Sequence, residues 1–174
     1  MTGSQERFEG SRIPDPGFAG DGGSVDPALA TALAAYDAGN ADRAPVLAAL
    51  TRARLLVPVV ALLGEVEHDG QGLAHEKTSD MAAVLITRPD GRRGLLAFSG
   101  TATMRAWDAD ARPVPVGAAT AALAAVQQEA DALVLDLAGP VRFAVEGDDL
   151  RGLAAGWQLA RVGERSAWIR PASE

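Results

Sequence analysis

The chain has 174 residues, 48% of them apolar and 22% charged, a formal net charge of −7 and no cysteine. A single domain of this size buries roughly 70% of its unfolded surface and folds without a disulfide or a metal. The missing thiols exclude disulfides, thiolate nucleophiles and zinc–thiolate sites, and the acidic balance argues against a general nucleic-acid backbone binder, whose affinity comes from clustered cations.

Residues 1–25 (MTGSQERFEGSRIPDPGFAGDGGSV) are dominated by Gly, Ser, Asp and Pro and are expected to form a disordered tail. Its apolar positions, Phe8, Ile13 and Phe18, are candidates for a short linear motif. No apolar signal core occurs there, and no run approaches the ~18 apolar residues of a membrane span, so a cytoplasmic location without membrane contact is expected.

Asp26-Pro27 reads as an N-cap and first helical residue, and Leu29, Ala32, Leu33 and Tyr36 follow with helical spacing up to Gly39. Asp42 begins a second helix that turns Val46, Leu47 and Leu50 to the core. Leu55–Leu63 (LLVPVVALL) is a strand covered on both faces, with Pro58 marking an edge or bulged position. Residues 64–78 (GEVEHDGQGLAHEKT) read as a long exposed loop.

Met81–Thr87 and Gly94–Phe98 are strand-length apolar runs joined by Pro89-Asp90-Gly91, which predicts a hairpin. Ser99 or Thr101 then caps a helical turn that sends Met104 and Trp107 back towards the strands. Arg112–Val116 (RPVPV) suits an edge strand, and Ala119, Ala122, Leu123, Val126 and Ala130 form the apolar stripe of a following helix. Ala132–Leu137 and Val141–Val145 pair across Gly139-Pro140, and Gly147-Asp148-Asp149 opens a helix through Leu150, Leu153 and Ala154. Residues 157–169 fit either a hairpin turning at Gly163-Glu164 or a helix followed by coil. The mixture of hairpins and alternating helices predicts one α/β (α+β) domain over residues 26–170, with a mixed sheet, packed helices and a short tail at 171–174.

His68 and His75 lie among Glu65, Glu67, Asp69 and Glu76, but their spacing matches neither a zinc-protease helix nor a calcium loop. No metal site or cofactor is assigned. Ser99-Gly100-Thr101 stands at a strand-to-helix junction without a nucleophile elbow, and both histidines fall in one loop, so no catalytic triad is assembled. Arg92 and Arg93 flank a hairpin turn, where charge commonly serves solubility. Trp107 is expected to pack on the hairpin, while Trp157 and Trp168 are less constrained.

The segments LLVPVV (55–60), LLAFSGTATMRAW (95–107), RPVPV (112–116) and ALVLDLAGPVRFAVEGDDLRGLA (132–154) follow in an order that resembles the N-terminal domain of the SseB family, the enhanced serine sensitivity proteins. Phe98-Ser99-Gly100 and Trp107 resemble the family's Phe-Thr-Ser, helix and tryptophan, with Gly100 where a serine is common and Asp136-Leu137 where Asn-Pro is frequent. The resemblance covers residues 41–155 and implies a bacterial cytoplasmic protein, linked by name to serine tolerance, without an established catalytic activity. The expected function is a non-catalytic interaction or regulatory module with a protein partner, no nucleic acid, and self-association through a strand edge at Pro58 or Pro113 as a further option. Its expected surface joins His75, Glu76, Lys77 and Asp80 to Ser99, Thr101 and Trp107. The alternative is a small-molecule binder or weak enzyme using Lys77, Asp80 and Ser99 at the same junction.

Overall fold

Helix α1 (Pro27–Asp37) begins where the Asp26 carboxylate accepts the Leu29 N–H at 3.0 Å and ends as Gly39 takes a left-handed φ of 70°. Helix α2 (Arg43–Leu50) is capped in the same way by Asp42, which accepts the Ala44 N–H at 2.8 Å. Both caps satisfy donors that a helix start leaves free. Leu29, Leu33, Val46, Leu47 and Leu50 are buried, as the periodicity predicts. The structure, a computed structural model, describes residue 18 and residues 20–40, 42–62 and 80–172.

Strand β1 (Arg54–Leu62) lies between β5 (Arg112–Gly117) and β2 (Asp80–Ala83), antiparallel to both. Of the run Met81–Thr87, only Leu85–Thr87 (β3) forms the expected hairpin with β4 (Arg93–Ala97), while its first half belongs to β2 and pairs with β1 instead. β4 runs parallel to β6 (Ala132–Leu135), and β6 pairs antiparallel with β7 (Phe143–Glu146). Leu56 and Phe98 exchange two backbone hydrogen bonds of 2.8 Å and join the two sets of strands. The sheet is therefore mixed, as expected, and the fold is α+β.

Pro58 corrects one expectation: it sits inside the central strand β1, not on an edge. The physical reason is a change of partner. The run 80–87 breaks at Val84, whose N–H donates to Pro58 O at 3.3 Å while its carbonyl accepts the Leu96 N–H at 3.0 Å. The Val84 carbonyl that an N–H at position 58 would seek is thus taken, and a residue without that donor fits the seam. The edge assignment holds for β5, the outer strand of its set.

Side chains alternate across the sheet. Leu55, Val57, Leu95, Ala97, Leu133, Leu135, Phe143 and Val145 face a large core with α1, α2, α4 (Ala118–Gln127) and α5 (Gly147–Ala154). Leu56, Leu96 and Phe98 face the other way, against Met104 of the short helix α3 (Thr101–Trp107). Trp107 packs on Phe98 with ring centroids 5.5 Å apart, as its spacing predicts.

Helix α4 departs from its expected stripe. Ala118, Ala121, Ala122 and Ala125 are buried, whereas Leu123 and Val126 are 44% and 41% exposed. α4 packs against α5, and an alanine stripe lets two helices approach more closely than leucine or valine would allow. The last segment takes the hairpin form, β8 (Gln158–Val162) and β9 (Arg165–Ile169), turning at Gly163 with φ 63°. Trp168 anchors it: its indole lies directly over Gly152, and its Nε1 donates to Asp149 at 2.9 Å.

Residues 20–25, assigned from composition to the tail, instead lie along the β4–α3 junction. The Thr101 N–H donates to Gly23 O at 2.8 Å. Arg54 pairs with Asp21 and donates to Ser24 O at 2.6 Å and Ser99 O at 3.2 Å. Few apolar side chains are needed here because backbone groups and one arginine make the contacts. Of the rest of that assignment, residues 1–17 and 19 lie outside the described residues, as does the loop reading of 64–78.

Candidate functional site

Two features stand where β4, α3, β6 and β7 meet. The first is a buried clamp. Ser99, which follows β4 and the bridging Phe98, is 3% exposed, and Asp136, directly after β6, is 2% exposed. The Asp136 carboxylate accepts the Ser99 N–H at 2.8 Å and the Ser99 hydroxyl at 2.6 Å. Its own N–H donates to Ala97 O at 3.0 Å, so the clamp continues the β4–β6 ladder by one residue. Asp136 adopts φ 51°, a left-handed conformation that short polar side chains tolerate better than most. The neighbouring chain is close as well: a Cβ at Gly100 would meet Gly23 O and Val25 N at 3.1 Å.

These contacts revise the expected caps. The N-cap of α3 is Gly100, with no side-chain cap, and Thr101 is the first helical residue. The Ser99 hydroxyl is spent on Asp136, 37 residues away, instead of on the helix start. Asp136 was missed from the sequence because its partner is distant; the available signal was an acidic residue closing an otherwise apolar strand.

The remaining expected surface divides. His75, Glu76 and Lys77, with His68, lie outside the described residues. Asp80 opens β2, paired with Leu62, and the described features extend to its backbone alone. Ser99, Thr101 and Trp107 do come together at one junction, but Ser99 is buried while Thr101 and Trp107 are partly exposed. Among the described residues no three carboxylate or imidazole groups cluster at metal-binding distance.

The second feature is a groove of about 490 Å³ on the face of β3, β4, β6 and β7 that α3 leaves uncovered. Register explains it. Ile86 pairs with Gly94, Gly94 with Ala132 and Ala132 with Glu146, while Leu96 pairs with Val134 and Val134 with Ala144. Alternation puts all of these on the face of Leu96, and Gly94, Ala132 and Ala144 leave its floor low. Val134 leans into the space a side chain at Gly94 would need, its Cγ2 2.7 Å from that Cβ position. The small residues at alternate strand positions were the signal, unread because glycine and alanine in strands say little without register.

Arginines rim the groove at Arg88, Arg92, Arg93 and Arg142, against the carboxylates of Asp131 and Glu146. Arg92 lies 3.1 Å from Glu146, whose hydrogen bond and charge raise the arginine further above its usual value and keep it protonated. Arg93 turns to the end of α4, donating to Gln128 O and Glu129 O at 3.1 and 2.8 Å, while its backbone N–H donates to Asp131. Among the described residues Arg88 pairs only with the exposed Asp90 at 3.7 Å, and Arg142 forms no ion pair.

No helix among the described residues is long and apolar enough to cross a membrane. Searches of curated proteins and of solved structures gave no match. A family model described as the SseB protein N-terminal domain matches residues 29–152, a span that holds both the clamp and the groove. The four segments that resemble this family also lie within or against that span, and the chain belongs to the SseB family.

Proposed function

We propose that the chain is a non-catalytic protein-interaction module of the SseB family, acting in the cytoplasm, with the groove on the β3–β4–β6–β7 face as its docking surface. The observation that carries this reading is the unequal cover of the sheet. Among the described residues four helices pack on one face, while a single seven-residue helix sits on the other and leaves half-buried Ile86, Val134 and Leu137 around a low floor. An apolar depression with a charged rim is the anatomy of a protein-binding patch.

A small-molecule site at Ser99 is less well supported. The Ser99 hydroxyl and the Asp136 carboxylate satisfy each other, and residues 23–25 lie across the junction, so neither group is presented to a substrate.

The test is affinity capture from extracts of the source cell with the full chain and with Val134→Glu, whose fold is checked by circular dichroism. A partner retained by the native chain and lost by at least about fivefold with Val134→Glu supports the reading, since a buried unpaired charge in an interface is costly. Arg142→Glu, at an exposed position, serves as a second variant that leaves the core untouched. Equal recovery with all three proteins places the binding elsewhere and overturns it.

A further inference from the structure

The rim of the groove says what kind of partner it takes. The chain as a whole carries −7, yet this face gathers four arginines and two carboxylates. Both carboxylates are already engaged, Glu146 by Arg92 and Asp131 by the Arg93 N–H. Arg93 is itself committed to the carbonyls at the end of α4. The least engaged cations are Arg142, without an ion pair among the described residues, and Arg88, whose exposed partner Asp90 lies 3.7 Å away, and they stand at opposite corners. Arg88 N–H donates to Arg92 O at the turn end of the β3–β4 hairpin, whereas Arg142 directly precedes β7 at the other end of the sheet and three strands across. Six residues of strand separate the two ends, roughly 20 Å along the strands.

We propose that this groove, on the interaction-module reading above, receives an extended segment of a partner protein that carries carboxylates at both ends and aliphatic side chains between them. The carboxylates meet Arg88 and Arg142, whose planar guanidinium groups suit two-point recognition of a carboxylate. The aliphatic side chains enter the depression over Gly94, Ala132 and Ala144, against Val134 and Leu137. Spanning the two arginines takes about seven residues in extended form, so a shorter acidic peptide engages one end only. Charge complementarity against a strongly acidic background also disfavours a second copy of this chain, whose surface carries the wrong sign for close approach elsewhere.

The experiment titrates the full chain with labelled synthetic peptides of about nine residues, followed by fluorescence anisotropy. One has Asp and Glu at both ends around a Val-Ile-Val centre, a second replaces the acids by lysine, and a third replaces the centre by Gly-Ser-Gly. The acidic aliphatic peptide is expected to bind at least about tenfold more tightly than the lysine peptide and to weaken severalfold between about 50 and about 300 mM salt. Arg88→Glu and Arg142→Glu are each expected to weaken it by about tenfold, and the Gly-Ser-Gly peptide to bind more weakly than its aliphatic parent. Equal affinity for the acidic and lysine peptides, or indifference to both arginine reversals, overturns the proposal. So does displacement of the acidic peptide by single-stranded DNA at lower concentration than the peptide itself requires, or a concentration-dependent dimer that Arg142→Glu dissolves. The broader reading fails separately: a captured partner sensitive to Val134→Glu but indifferent to both arginine reversals keeps the interaction module and removes the acidic segment.

Discussion

Asp136 holds a left-handed backbone and a buried carboxylate at once, two costs that a single residue bears only where its contacts exceed them. Its carboxylate satisfies two buried donors of Ser99, one on the backbone and one on the side chain. Asp136→Ala strands both donors, each costing about 1–3 kcal/mol when buried without a partner, and also places a β-carbon with no polar group at positive φ. A loss of about 2–4 kcal/mol is expected in urea unfolding, read as a fall in melting temperature of about 5–10 °C for a chain of this size. Asp136→Asn keeps an acceptor for the Ser99 N–H and tolerates the same backbone, so its loss should be less than half that of alanine. Equal losses in the two variants would show that charge, and not the hydrogen-bond geometry, sustains the turn. The same pair marks how far local reading reaches. Ser99 beside a helix start looks like a cap at any window length, and only the parallel pairing of β4 with β6 reveals that its hydroxyl points to Asp136 instead.

Elements whose partners are near in sequence were legible, and those whose partners are distant were legible in type but not in contact. The caps at Asp26 and Asp42, the β3–β4 turn and the β6–β7 turn each depend on a few adjacent residues, and each appears where the sequence puts it. Helix α4 was legible as a helix, but which side it buries depended on α5, and the small alanines won over Leu123 and Val126. The terminal hairpin shows the same dependence. A two-stranded ribbon is marginal alone, so β8–β9 needs the docking of Trp168 over Gly152 of α5. Gly152→Ala poses a contest: alanine in a helix interior gains about 1 kcal/mol over glycine, while its Cβ occupies the indole's place. The indole's buried area and its hydrogen bond to Asp149 together exceed that gain, so the hairpin is expected to undock. Hydrogen exchange should quicken across residues 158–169 while α5 stays protected, with tryptophan emission shifting to the red. Unchanged exchange in the hairpin would mean that Leu159 and the remaining contacts hold it without Trp168.

At the scale of the whole molecule the sheet formed by the described residues ends at β7 and at β5, and each end is blunted by a different device. At β7 the Arg43 guanidinium donates to Ala144 O at 2.7 Å and stacks 4.5 Å from the Phe143 ring, closing a carbonyl that would otherwise face outward. At β5 the device is proline. Leu56 directs its backbone groups to Phe98, away from β5, so by alternation Leu56 and Pro58 form the non-hydrogen-bonded pairs with Pro115 and Pro113. Both prolines of β5 therefore place their missing N–H on the outer edge, where an unpaired donor row would invite another strand. Self-association through a strand edge, raised for Pro58 and Pro113 from the sequence, has no opening at Pro58 because that residue is central, and at β5 it faces an edge with two donors removed. Replacing both with valine in Pro113→Val, Pro115→Val restores the donors and raises β propensity without disturbing the β1 ladder. The weight-average mass in sedimentation equilibrium should then rise with concentration more steeply than for the native chain, at an unchanged monomer fold by circular dichroism. Matching mass curves for the two proteins would show that the exposed edge is protected by its surroundings and not by its prolines, and the role given to RPVPV would pass to the chain that covers it.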